Sequence, residues 1–248
     1  MPFFNFEGNQ IFYRQQGSGE LLLILPGNTA SSVFHQGEVD YFSQTRRAVC
    51  MDFLGTGQSQ RVQTWPVDWW EQGARAAGAL IAHLGAGQAV VTGASGGAIT
   101  ALLTAILFPA RVKAVIADSG LEIFPPGKLE SEADGRDLEN PGAAQFWEKA
   151  HGPDWQQVVQ ADSDMLRRFA QTGGDPFRGR LAQIACPVLL TGSLADESLP
   201  GFASQMESMA RQIPDCSVVY VNQGSHPLMW SRPDVYRRAA SAFLETVG

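Results

Sequence analysis

Six short stretches of this chain are apolar at almost every position, and that feature limits its fold more than any other. They are Leu21–Leu25 and residues 48–53, 89–92, 112–117, 188–191 and 218–221. A strand with one face in water alternates apolar and polar residues, so runs without alternation belong to strands buried on both faces. Such strands are parallel and require crossover helices. Helical patterns do fall between them, over residues 67–84, 97–108, 200–212 and 233–247. Pro233 is placed to open the last, where its missing N–H costs nothing. At the start, Phe4 and Phe6, then Ile11 and Tyr13, alternate about Gly8-Asn9, which predicts a hairpin turning at those two residues. The expectation is an α/β fold, a mostly parallel eight-stranded sheet with helices on both faces.

Residues 121–180 interrupt the rhythm where a short crossover would suffice. They hold 11 of the 25 acidic residues against seven basic ones. An acidic, strand-free stretch over 127–142 precedes two helical patterns. In the second, Trp155, Val158, Val159, Asp162, Leu166 and Phe169 share helical spacing, with Asp162 the one polar member. This segment reads as a helical cap inserted into a core made of residues 1–120 and 181–248. A net charge of −7 over 248 residues argues against nucleic-acid partners and against docking on an anionic membrane. No apolar run approaches the roughly 20 residues that span a bilayer. The N-terminus lacks the pattern of a secretory leader, and Cys50, Cys186 and Cys216 form no paired motif. A cytoplasmic protein acting on a small molecule is expected.

The chemistry gathers at strand ends. Gly93-Ala94-Ser95-Gly96-Gly97 fits G-x-S-x-G between a strand-like run and a helical one. Small residues at 93 and 97 allow a tight turn there, which pushes the serine hydroxyl out above the sheet. A hydroxyl needs a base to become a nucleophile. Of four histidines, His226 lies beyond the 218–221 run and before the last helix, where it can reach across to Ser95. His83 sits on a helix and reads as structural, His151 as a turn or lid residue in the cap, and His35 as a pocket residue. The base needs a carboxylate to fix its tautomer. Asp196, just past the 188–191 run, leads, and Asp118, at the end of the 112–117 run, is the alternative. The N–H groups of Asn28, in Pro26-Gly27-Asn28-Thr29, and of Gly96 are candidates for an oxyanion hole. His35, Trp147, Trp155 and Trp230 are the further candidates for a substrate pocket. No His, Cys or carboxylate spacing suggests a metal, and neither a dinucleotide fingerprint nor a phosphate loop is complete.

These residues resemble the α/β-hydrolase family in its serine-hydrolase form. The likeness rests on Pro26-Gly27, on Asp52-Phe53-Leu54-Gly55-Thr56-Gly57-Gln58-Ser59, on the turn at Ser95, and on the order Ser95, Asp196, His226. Within that family the chain looks most like the valacyclovir hydrolase (biphenyl hydrolase-like) group. The resemblance implies a cofactor-free hydrolase that cleaves a carboxylic ester through an acyl-enzyme. C–C bond hydrolysis of a β-diketone-like substrate is the alternative, and a catalytically weak ligand-binding protein is a third reading. Dehalogenases and epoxide hydrolases of this fold use an aspartate where this chain has Ser95. One departure bears on specificity. The group has an acidic residue directly after its nucleophile, and here that residue is Gly96, which points to a neutral acyl group of small or medium size.

Overall fold

The computed structural model describes residues 2–247. Its sheet has eight strands: β1 (Phe3–Phe6), β2 (Asn9–Gln16), β3 (Leu21–Leu25), β4 (Arg47–Met51), β5 (Ala89–Ala94), β6 (Val112–Asp118), β7 (Val188–Ser193) and β8 (Cys216–Val221). They lie in the order β1-β2-β4-β3-β5-β6-β7-β8. Only the pairs β1–β2 and β2–β4 are antiparallel. The apolar runs thus form the parallel part, as their composition requires.

Strand β3 shows why alternation is missing. Leu21, Leu23 and Leu25 enter one hydrophobic cluster with α2 (Trp69–His83) and α3 (Gly96–Leu107). Leu22 and Ile24 enter a second, with α1 (Gln36–Phe42) and the C-terminal α9 (Pro233–Thr246). Each face of the sheet has its own core, so every position on the strand must be apolar. Two expectations need correction. The hairpin turns at Glu7-Gly8, not Gly8-Asn9: both residues have positive φ, 51° and 85°, and Phe6 pairs with Asn9. Two consecutive positive φ values match the right-handed twist of the strands they join. Strand β8 is also an edge strand, half-buried rather than enclosed, with Tyr220 44% exposed.

Between β6 and β7 lie no strand, three α-helices, α4 (Lys128–Asp134), α5 (Pro141–His151) and α6 (Trp155–Ala170), and one short 3-10 turn at Leu181–Gln183. The first occupies the acidic stretch that the sequence pattern leaves unstructured. It buries only Leu129 and Ala133, one turn apart. Trp147, Trp155 and Val159 form a small cluster of their own under α5 and α6. The remaining helices are α7 (Phe202–Gln212) and α8 (Leu228–Ser231). Among the described residues, no helix is long and apolar enough to cross a membrane.

Candidate active site

Ser95 ends β5 and starts α3 in a conformation few residues adopt, φ 56° and ψ −123°. Such a backbone costs on the order of 1–3 kcal/mol and persists only where its surroundings enforce it. Here they do. A Cβ on Gly93 would lie 2.2 Å from the carbonyl oxygen of Gly97, and one on Gly97 would lie 2.1 Å from that of Leu25. The backbones of β3, β5 and α3 therefore meet with no room for side chains, and the Ser95 N–H is fixed to the Asp118 carbonyl at 2.9 Å. The serine is forced outward at the positive end of a 12-residue helix.

His226 and Asp196 come together from the loops after β8 and β7. His226 Nδ1 lies 2.8 Å from Asp196 Oδ2. A carboxylate there can only accept, so Nδ1 carries the proton and Nε2 holds the free lone pair. The Asp196 side chain is fully buried, and its Oδ1 also accepts from the Ser198 N–H at 2.9 Å. Asp118, the other candidate, faces elsewhere. Its Oδ1 accepts from Thr191 Oγ1 at 2.7 Å and its Oδ2 from the Met229 N–H at 2.9 Å. Together with Ser119 Oγ, which accepts from the Leu228 N–H, it anchors the start of α8 just beyond His226. Burial raises its carboxyl to about 7.

Ser95 and His226 line one cavity of about 170 Å³, as do Asn28 and Gly96. Trp70, Ile99, Leu121, Phe124, Leu166 and Leu199 make most of the remaining wall apolar. Lys128 and Glu132 from α4 also line it and pair with each other at 3.0 Å. Among the described residues, the N–H groups of Asn28 and Gly96 donate no hydrogen bond within the fold. Gly27 brings the two loops close, since a Cβ on it would lie 3.3 Å from that of Ser95.

The four residues expected in the pocket are placed elsewhere. His35, Trp147, Trp155 and Trp230 line none of this cavity. His35 is fully buried beside the Trp230 ring, 5.3 Å between centroids, and burial lowers its imidazole to about 3. Trp147 stacks on Trp155 and donates to Thr29 Oγ1. His83 packs its ring against Phe4 and Tyr13, a structural role.

The side chain of Asn28 bridges the core and the inserted helices. Its Oδ1 accepts from Trp70 Nε1 at 2.9 Å, and its Nδ2 donates to Asp162 Oδ1 at 2.7 Å. Asp162, the one polar member of the apolar stripe on α6, is fully buried and paired with Arg136. Burial, opposed by Arg136, leaves its carboxyl above the usual carboxylate range. The Asn28 oxygen lies only 1.8 Å from where a Cβ on Gly96 would stand, so the two positions share one space.

A family model described as the alpha/beta hydrolase fold matches residues 20–220. The chain belongs to that family. It is 24% identical over 257 residues to human serine hydrolase BPHL, covering 96% of this chain and 84% of that protein. It is also 24% identical over 275 residues to the putative carbamate hydrolase RutD of Azorhizobium caulinodans, covering 98% of each. The fold is that of a thermophilic esterase from Thermogutta terrifontis, with a TM-score of 0.78, 20% identity and coverage of 99% and 97%. This chain is a hydrolase of the α/β-hydrolase fold. Among the described residues, no group of three His, Cys, Asp or Glu side chains is placed to hold a metal ion.

Proposed function

We propose that this hydrolase cleaves a carboxylic ester of a small or medium neutral acyl group through an acyl-enzyme on Ser95. The observation that carries the reading is the Asp196–His226 pair opening onto the cavity that holds the strained Ser95 and two undonated N–H groups. His226 Nε2 takes the Ser95 Oγ proton as that oxygen attacks the carbonyl carbon. The carbonyl electrons move to oxygen, where the N–H groups of Asn28 and Gly96 hold the charge. Collapse expels the alkoxide, which takes the proton back from His226 and leaves as the alcohol. Water, deprotonated by the same nitrogen, then attacks the acyl-enzyme and frees Ser95 with its proton restored. Asp196 keeps the tautomer and stabilises the transient imidazolium. These steps need only the protein's own side chains and water. The helices of residues 121–180 serve as the cap, since α4 and α6 contribute Lys128, Leu129, Glu132 and Leu166 to the cavity wall.

Neutral specificity follows from what faces the cavity. Gly96 has no side chain to bind an ammonium, Asp162 is committed to Asn28 and Arg136, and the Lys128–Glu132 pair is charge-balanced. The test is Ser95→Ala with a p-nitrophenyl ester series and a fluorophosphonate probe. Loss of roughly 10³-fold or more in kcat, together with loss of labelling, is expected. Retention of a tenth of the activity would exclude the assignment.

A further inference from the structure

The loop that carries Asn28 is tied to the inserted helices at four points. Asn28 Nδ2 donates to Asp162 Oδ1 at 2.7 Å, and Trp147 Nε1 donates to Thr29 Oγ1 at 3.2 Å. His151 Nε2 donates to the Thr29 carbonyl at 3.0 Å, and Ser31 Oγ to the Ala150 carbonyl at 2.8 Å. The His151 roles are fixed, because its Nδ1 accepts from the Gly57 N–H at 3.0 Å. On the sheet side, Trp70 holds Asn28 Oδ1 and Asp52 Oδ1 accepts from the Ser32 N–H at 2.6 Å. Thr29 itself has a φ of 53°, a strained value for a non-glycine residue. The loop is therefore clamped between core and insertion rather than shaped by its own sequence.

We infer that the inserted helices set the oxyanion loop for catalysis, with Asp162 as the positioning residue that acts through Asn28. The inference rests on the reading of Asn28 and Gly96 as oxyanion donors. Both ends of the Asn28 amide are held, one by Trp70 and one by Asp162, which fixes the turn of its own backbone N–H. Asp162 is oriented in turn by Arg136, which also donates to the Val159 carbonyl at 3.1 Å and to Ser163 Oγ at 2.8 Å on the same helix. A buried carboxylate is a poor device for stability alone, since the cost of desolvating it offsets its attraction to arginine. It is a good device for direction, because a charged acceptor holds one donor in one place. Oxyanion stabilisation demands such placement, as a 1 Å displacement can cost on the order of 10²-fold.

The experiment uses the full chain and p-nitrophenyl acetate, whose acyl group has two carbons. Asp162→Asn keeps the volume but must turn an N–H toward either Asn28 or Arg136, both of which donate. It is expected to lower kcat by about 10- to 100-fold with KM within about threefold. An alkylboronic acid, whose tetrahedral adduct on Ser95 places an oxygen in the hole, should lose affinity by the same factor. Asp164→Asn removes a carboxylate from the exposed face of the same helix without touching Arg136 or Asn28, and its kcat should stay within about twofold. Melting temperatures are recorded for each. An unchanged kcat in Asp162→Asn overturns the inference, as does an equal loss in Asp164→Asn, or a fall in kcat with boronate affinity intact. If Asp162→Asn does not fold, Trp147→Phe removes the N–H to Thr29, together with part of the ring that stacks on Trp155, while leaving Asn28 and Asp162 unchanged. It should lower kcat and boronate affinity in parallel by about three- to tenfold, and no change overturns the inference equally. Fluorophosphonate labelling of the wild type separates the two levels. An unlabelled Ser95 defeats the serine-hydrolase reading itself, whereas a labelled Ser95 with unaffected Asp162 and Trp147 variants defeats only the positioning role.

Discussion

Alanine at position 96 should reverse the usual sign of a glycine-to-alanine change. Gly96 opens α3 with ordinary helical φ, and alanine in a helix is favoured over glycine by up to about 1 kcal/mol. The added Cβ, however, would stand 1.8 Å from Asn28 Oδ1 and 2.8 Å from Trp70 Nε1. The Asn28 side chain must leave, and with it go the bond from Trp70 and the bond to Asp162. A neutral hydrogen bond contributes about 1 kcal/mol and one to a charged acceptor about 1.5–3. The sum, less the helix gain, is a loss of roughly 1.5–3 kcal/mol, or about 3–12 °C in Tm for a domain of this size. Because the loop bearing the Asn28 N–H shifts too, kcat should fall by about tenfold or more. Thermal melts and steady-state kinetics on a p-nitrophenyl ester read both effects. Adding Asn28→Ala removes the obstructing oxygen, so the double variant should be more stable than the sum of the two single losses by about 1 kcal/mol or more. A Gly96→Ala protein that melts at or above the wild type with unchanged kcat would refute the shared-space argument.

Asp196→Asn should cost about 10²–10⁴-fold in kcat with little change in KM. Asp118→Asn should cost less than about tenfold, and a larger loss there would move the triad acid to Asp118. His35 is neutral in the fold, with its imidazole lowered from 6.5 to about 3 by burial, and is charged below about 6.5 when unfolded. Its contribution to stability is therefore whole above pH 6.5 and is lost as pH falls toward 3. At about pH 5 the loss is roughly 2 kcal/mol. His35→Phe should shrink the stability difference between about pH 7.5 and 5 in urea unfolding, and an unchanged difference would contradict the burial argument. Finally, kcat/KM for a valine ester should not exceed that of the matched ester lacking the amine, and a tenfold preference for the amine would reveal a cavity carboxylate acting as its partner.

Much of this architecture is legible in the sequence because burial on both sheet faces leaves no position free to vary. Strand β3 is the clearest case, since each of its residues serves one core or the other. Helix α4 escaped because its seven residues, Lys128–Asp134, show only Leu129 and Ala133 as an apolar pair. A stripe two residues long resembles an acidic loop. Ser95, Asp196 and His226 could be singled out because strand ends are where side chains face out of the sheet. The tryptophans could not be placed in the same way. Trp147 and Trp155 sit at helical spacing, but spacing tells only which helix face they share. Packing against Val159, set by the tertiary fold, decides that they close a small core instead of the cavity.

Asp162 stands out in the sequence as an anomaly. A lone carboxylate on the apolar stripe of α6 breaks the helix's own pattern, and burying it unpaired would cost several kcal/mol. A chain that keeps such a residue must supply a cation and a donor, and here they arrive from two distant segments: Arg136, and Asn28, which is 134 residues away. The same geometry explains why glycine follows the nucleophile. With Asn28 Oδ1 filling the space beside Ser95, a carboxylate side chain at position 96 has nowhere to go. The carboxylate this region does hold, Asp162, stands behind Asn28, where Arg136 neutralises it and the Asn28 amide binds it. Asn28 and Gly96 are thus complementary halves of one arrangement: the missing side chain at position 96 leaves room for the amide that ties the loop after β3 to the inserted helices.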